Sequence, residues 1–588
     1  MPGAHDLLSR WPALDVAARR DRLRDRLHVS PGTLTGAVAT HRRSVDAAAA
    51  ALWRRDRSLW SDDAAVQEKI GNRLGWLSSP ALMADSLDRL RTFAAGVRRD
   101  GFRHVVLLGM GGSSLAPEVL RAVIGVAPGW PTLHMLDSTD PAAVRAAATP
   151  PEQTLYLLSS KSGTTIEPNS LAAHFRTRLE PAVPRWADHF VAITDEGTEL
   201  ARRAQAEGFR DVFINPSDIG GRYSALSYFG FVPAALMGQD LDGLAGWGLA
   251  MLAAAEPGPS AAVMADAVTN PAAALALIVG AAALAGRDKL TLVVPPALEA
   301  FGLWVEQLIA ESTGKQGKGV VPIAGEAVGP AERYGDDRLF VRLNIRGAPA
   351  GQTGRDQALL EPAVEIELPE ATALGAEFMR WEIATAILGA MFEINPFDEP
   401  NVQQAKDATH VLLDAYKTKG RLPDAAADLT LPAGARLVLS RAARTTLGAG
   451  SPAAILTLIE EGDYFALLAY LGPDEAMAGE LRAFRQAVRD RTRAATMFGY
   501  GPRYLHSTGQ LHKGGPNTGV FVLITAAPVE DLAIPGENFS FGTLELAQAL
   551  GDFASLDATN RRALHIHLPA PEPALLREAI DALLKRAK

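Results

Sequence analysis

Residues 154–168 read TLYLLSSKSGTTIEP, and the fold turns on them. An apolar run of strand length empties into Ser159, Ser160, Lys161, Ser162, Thr164 and Thr165, six donors within seven residues, ahead of a segment that reads as helix. A strand that stops at a polar loop and hands over to a helix is the repeating step of an α/β layer. The step recurs on either side in VVLLG (105–109), TLHML (132–136), HFVAIT (189–194) and DVFIN (211–215). A parallel sheet flanked by helices is the expectation.

Outward from this block the texture changes. Upstream, Leu74, Leu77, Leu82, Leu87 and Leu90 with interspersed charges follow a helical period, which predicts amphipathic helices rather than strands, a helical cap. Downstream, the Ala-rich residues 270–286 fall short of the roughly 20 apolar residues a membrane span needs and read as a buried helix. KLTLVVPP (289–296), a helix from about Leu298 to Ala310, GVVPI (319–323) and a strand around LFVRLNI (339–345) make a second α/β series ending near Lys419. PDAAADLTLPAGARLVLS (423–440) is rich in Pro, Gly and Ala and looks like a linker. AAILTLIEEGDYFALLAYL (453–471), a charged helix, GVFVLITA (519–526) and a final helix suggest a third, smaller α/β unit. The chain thus divides into an N-terminal helical segment (1–100), a first α/β domain (101–265), a second (266–425) and a C-terminal α/β unit (435–588). The first two domains are candidates for a distant duplication.

With 588 residues and 48% hydrophobic content, the chain can bury several cores. A net charge of -9 with no long basic run disfavours a nucleic-acid surface. The absence of cysteine removes disulfides, thiolate zinc sites and cysteine nucleophiles. The N-terminus lacks the apolar core of a secretory signal, so the cytoplasm is the expected compartment and no membrane partner is expected.

Two loops read as anion sites. In GMGGSSLAPEVL (109–120), glycines let the backbone approach a ligand and a helix N-terminus attracts negative charge. Gly109, Gly111 and Asp137 fit part of a dinucleotide fingerprint, but Ser114 stands where its third glycine belongs; a tight structural turn and another anion are the alternatives. The 159–165 loop offers hydroxyls and amides suited to a phosphate, against a polar N-cap cluster as the bland reading. No Walker motif occurs, since Gln316 follows Gly314-Lys315.

Chemistry-bearing groups stand elsewhere. Trp304, Leu308 and Glu311 share one helical face, placing a desolvated carboxylate at a helix end, where burial and the dipole raise its pKa toward that of a general base. A buried ion pair is the competing reading, and Gln307 lies one turn earlier. Arg222 in IGGRYSALS (219–227) can stabilise an oxyanion or salt-bridge its own loop. Lys406 shares a helical face with Val402 and Thr409, where a snorkelling surface lysine is the default. His506 and His512 fall in a glycine-rich stretch that reads as a loop, able to shuttle protons or merely exposed.

Taken in order, GMGGSSLAP, SSKSGTT, GGRYS, EQLIAESTGK and NPFDEPNVQQAK resemble the phosphoglucose isomerase family over residues 105–406, and HSTGQ (506–510) extends the likeness. SFGTLELAQALGD (540–552) looks like the isomerase part of bacterial transaldolase/phosphoglucose isomerase fusions; no transaldolase half is expected, since only about 100 residues precede the first glycine loop. The resemblance implies two doubly wound sugar-isomerase domains with the site between them, usually at a dimer interface, which makes a homodimer a candidate assembly. It implies a sugar phosphate as partner and neither cofactor nor metal. By motif, Ser160, Ser162 and Thr165 would bind phosphate, Ser113 and Lys161 would line the same pocket, and Gln307 would contact substrate. Glu311 would move the proton between C1 and C2, Arg222 would stabilise the cis-enediolate, and Lys406 and His506 would serve ring opening. Two departures stand out: Glu399 where the family usually has Gln, in the substrate-binding set, and a histidine loop that follows the lysine helix instead of preceding it. Glucose 6-phosphate/fructose 6-phosphate isomerisation is the leading expectation. Another phosphorylated or sulfonated sugar, a non-catalytic sugar-phosphate sensor and a nicotinamide enzyme are the alternatives.

Overall fold

The computed structural model describes residues 4–23, 26–257, 270–347 and 360–586, and among them the chain forms three mainly parallel sheets. The N-terminal segment carries the helices Thr35–Trp53 and Ser79–Arg99, as its period requires, but also strand β1 (Leu27–Ser30). That strand is the exception in a segment that is otherwise helical among its described residues. It has four residues, too few to show a period, and pairing decides its conformation. Nor is the segment a cap laid over finished domains, because Leu52, Trp76 and Leu90 share one apolar core with Val105 and Leu107 of the first sheet and Leu290 and Val341 of the second.

The first sheet comprises β2 (His104–Gly109), β3 (Thr132–Leu136), β4 (Thr154–Ser159), β5 (Phe190–Asp195) and β6 (Asp211–Asn215), all parallel, in the order β3-β2-β4-β5-β6. Along β2, Val105 and Leu107 enter one core and Val106 and Leu108 another, so both faces are covered and the strand is an unbroken apolar run. The second sheet has β7 (Lys289–Val293), β8 (Val321–Ile323), β9 (Arg338–Ile345) and β10 (Ala363–Leu368), with β1 antiparallel at its edge: β1-β10-β9-β7-β8. The expected boundary at 265/266 between the first two domains lies outside the described residues.

The third sheet runs β11-β12-β16-β15-β13-β14, from β11 (Leu429–Thr430), β12 (Arg436–Leu439), β13 (Tyr464–Tyr470), β14 (Ala495–Tyr500), β15 (Gly519–Ala526) and β16 (Arg562–Leu568). Here the linker reading of 423–440 is corrected: Pro432 and Gly434 make the turn of a hairpin, with Gly434 at φ +95°, and β12 pairs antiparallel with β16. Turn residues mark a hairpin as readily as a linker, and only the partner strand tells them apart.

All three sheets wind alike. The first parallel strand (β2, β7, β13) has the second on one side (β3, β8, β14) and the third and fourth on the other (β4 and β5, β9 and β10, β15 and β16). Such a reversal opens a crevice beyond the strands' C-terminal ends. In the first sheet it lies between β2 and β4, the strands that carry the glycine loop and the serine loop. The third unit is joined to the others by shared cores: Phe541, Leu544 and Ala547 pack with Leu158 and Leu171, and Leu511 and Phe521 with Ala310 and Val321. Among the described residues no helix is long and apolar enough to cross a membrane.

Candidate active site

At the crevice of the first sheet, β2 ends in the tight turn Gly111–Ser113 and β4 in the serine loop, with Thr165 heading the helix Ile166–Leu179. Gly111 sits at φ +55°, and a Cβ there would lie 2.7 Å from the His506 carbonyl oxygen and 3.0 Å from Gln307 Nε2. Only glycine lets those two groups come so near. Ser113 and Ser160 are buried. Ser160 Oγ donates to Thr165 Oγ1 (3.2 Å) and accepts from the Gly163 amide (3.2 Å), while Ser162 Oγ and Thr164 Oγ1 stand 3.0 Å apart. The hydroxyls therefore shape the loop themselves, and Ser162 is exposed. Lys161 is placed differently from the hydroxyls: its ammonium is ion-paired with Asp195 and donates to the Ser217 carbonyl at 3.0 Å. Ser114, in the fingerprint's third glycine position, donates to Asp137 Oδ2 (3.1 Å), and Asp137 Oδ1 accepts from Arg503 (2.7 Å). Both oxygens of the carboxylate that would read a ribose are thus engaged by protein donors.

Glu311 lies near the end of the helix Glu299–Thr313, which is buried on nearly every face because the first and third units close over the sides that the second sheet leaves open. Arg222 reaches it from the turn Gly221–Tyr223. Its Nη1 is 3.2 Å from Glu311 Oε1 and 3.0 Å from Glu399 Oε2, its Nε donates to Ser312 Oγ (2.8 Å), and its Nη2 donates to the carbonyls of Pro396 (2.7 Å) and Asp398 (2.9 Å). Gln307 Nε2 donates to Glu311 Oε2 (3.3 Å) and to the His506 carbonyl (2.7 Å). Burial lifts the Glu311 carboxyl above its usual range, Arg222 opposes this and Glu399 adds to it. Lys315 holds the Asn395 carbonyl (2.7 Å) and Asp398 Oδ1 (2.6 Å), and burial, helped by Arg222, pushes its pKa down to about 8.

The third unit enters through the turn Arg503–His506 that follows β14. His506 Nε2 is 2.8 Å from Glu167 Oε1, and the same oxygen accepts from Gln548 Nε2 (2.7 Å), whose own Oε1 accepts from Thr139 (3.0 Å). Burial acts to raise the Glu167 carboxyl, but the field and hydrogen bond of His506, with Lys406 behind them, hold it below the usual range. Lys406, exposed on the helix Pro400–Lys419, lines a cavity of about 180 Å³ with Thr164, Thr165, Glu167, His506 and Gln548. His512 departs from the loop reading. It is 1% exposed among Tyr464, Tyr504 and Phe521, and burial drives its pKa well below the usual value, so it is a neutral core residue.

Of the residues singled out from sequence, Arg222, Glu311, Glu399 and Gln307 form one cluster, Gln307 and Gly111 both approach the His506 carbonyl, and His506 shares a neighbouring cavity with Lys406 and the threonines of the serine loop. Glu167, Gln548 and Lys315 escaped the sequence reading. Glu167 lies in the first turn of the helix that follows the serine loop, where an acid reads as a partner for the helix dipole. Gln548 gave no signal, since its role depends on a residue 381 positions away.

Comparison with known proteins is consistent with this geometry. The family model for phosphoglucose isomerase matches residues 39–318, which include Arg222, Gln307 and Glu311 and stop short of Glu399, Lys406 and His506. A glucose-6-phosphate isomerase from Cyanothece sp. is 30% identical over 406 residues, 58% of this chain and 75% of that protein. Another from Thermosynechococcus vestitus is 32% identical over 354 residues, 52% and 65% of the two chains. In fold, the crystal structure of a hypothetical protein from Thermus thermophilus superposes with a TM-score of 0.52 at 24% identity, covering 66% of this chain and 99% of the other.

Proposed function

The chain belongs to the phosphoglucose isomerase family, and we propose that it interconverts glucose 6-phosphate and fructose 6-phosphate with Glu311 as the base. One observation carries this reading: a carboxylate only 8% exposed faces Arg222, and Gln307 ties it to the His506 carbonyl, beside the cavity that His506 shares with Thr164 and Thr165 of the serine loop. A sugar-phosphate sensor would need the loop but has no use for a desolvated base.

The sugar phosphate docks on Ser160, Ser162 and Thr165 at the start of the helix Ile166–Leu179, where hydroxyls and backbone amides accept a dianion without a committed lysine. Ring opening moves the proton of the anomeric hydroxyl away and supplies one to the ring oxygen. Glu167 holds the Nε2 side of His506, which leaves Nδ1 to exchange that proton, with Lys406 beside it. Glu311 then takes the C2 proton. The C–H electrons form the C1–C2 double bond, and the C1 carbonyl becomes the enediolate oxygen. Glu311 returns the proton to C1, the hydroxyl proton at O2 passes to O1, and C2 becomes the carbonyl. Four of the five N–H groups of Arg222 are held by Ser312, Glu399, Pro396 and Asp398, so its contribution to the enediolate is the charge of a fixed, buried guanidinium.

The test is incubation of pure protein with glucose 6-phosphate in deuterium oxide, with NMR of C2 deuteration and fructose 6-phosphate formation, beside Glu311→Gln. Wild type should form product with deuterium at C2, and the variant should lose about 10³-fold or more of the rate. No turnover by folded wild type overturns the substrate and directs attention to other anionic sugars. Full activity in the variant overturns the base.

A further inference from the structure

Glu311 is not the only carboxylate on Arg222. The hydrogen bond from Nη1 goes to Glu399 Oε2 at 3.0 Å, whereas the 3.2 Å approach of the same nitrogen to Glu311 Oε1 is an ion-pair contact alone. Of the other guanidinium donors, Nε is engaged by Ser312 and Nη2 by Pro396 and Asp398, so only the second N–H of Nη1 is left on the side of Glu311. We propose that Glu399 is a positioning residue for the base: it holds the arginine so that the guanidinium attracts Glu311 without hydrogen-bonding it. The inference rests on Glu311 being the base.

The consequence is basicity. A carboxylate hydrogen-bonded by an arginine is held in its charged form and becomes a poor proton acceptor. Glu399 opposes this by drawing Nη1 to itself and fixing the plane of the guanidinium, and its own charge disfavours a second negative charge nearby. The other groups facing Glu311 are Gln307 on its own helix, Lys315 just beyond that helix, Tyr223 beside Arg222, Asp398 next to Glu399 and His506 from the third unit. Lys315 and Arg222 together clamp the segment 395–398 that leads into Glu399, so the carboxylate is presented from a fixed turn. The Glu399 side chain is itself 43% exposed, so replacing it leaves no buried partner orphaned except Arg222 Nη1.

The test compares pH profiles of kcat/KM for glucose 6-phosphate in wild type, E399A, E399Q and E399D. In E399A, Nη1 is free to turn to Glu311, and the acid limb should move to lower pH by about one unit with a lower plateau, because a weaker base accepts the proton less readily. E399Q drops the charge but keeps an acceptor and should move the same way by less. E399D should restore the wild-type limb, and circular dichroism checks that all variants are folded. Limbs that coincide with wild type while KM changes would assign Glu399 to substrate contact alone and overturn the proposal, as would a limb that moves to higher pH. If Glu311→Gln retains C2 exchange, the assignment of the base itself fails. If that variant is dead and the Glu399 limbs do not move, only this proposal fails.

Discussion

The first sheet and the third share a winding order, with β2 and β13 as their first strands, but the loops at their C-terminal edges are used differently. In the first sheet the loops after β2 and β4 stay at their own crevice and line it with Gly111, Ser113 and the serine cluster. In the third, the turn after β14 leaves its sheet and carries His506 into the crevice of the first, where Glu167 receives it. One winding order thus keeps its loops at their own crevice in one sheet and sends a reaching arm out of the other, since strand order fixes where loops emerge and loop chemistry decides what they do.

Breaking the arm should have the largest effect on that comparison. His506→Asn should lower turnover of the ring-closed sugar by about 10² to 10⁴-fold. C2 deuterium exchange on an acyclic sugar-phosphate analogue should survive, because Arg222 stays on Glu311 and Gln307 holds the backbone carbonyl of residue 506 rather than its ring. Equal loss in both assays would place His506 in the proton transfer itself. Next comes the point where arm and floor meet. Gly111→Ala would put a Cβ within 2.7 Å of the His506 carbonyl and should cost roughly 10²-fold in kcat through misplacement, with unfolding transitions near wild type. A variant that folds and retains full kcat would mean the turn yields without consequence. The smallest expected effect is none. Glu311 meets Arg222, and Lys406 lines one cavity with His506, all within one chain, so specific activity should not change on dilution far below micromolar concentrations. A fall on dilution would show that a second copy completes the site.

Much of this was legible from local chemistry. The apolar runs before the glycine and serine loops are strands because both faces are covered, and no tertiary information is needed to see that such a run wants burial. Glu311 could be placed at a buried helix end from spacing alone. The misses share a cause. β1 is four residues long, β12 hides behind turn residues, and His512 sits among glycines that end up inside a core. Each takes its state from partners distant in sequence, which no local period encodes.

What the sequence determined by itself was the inventory: which runs could be strands, which loops could take an anion, and which carboxylate stands on the buried face of a helix near its end. Only the tertiary structure decided the pairings. It committed Lys161 to Asp195, gave Glu167 to His506, and hung Glu311 and Glu399 on one guanidinium nitrogen. The physical reason is that propensity and burial tendency are properties of a residue and its near neighbours, whereas the charge state and role of a buried ionisable group are set by whichever groups the fold brings within a few ångströms.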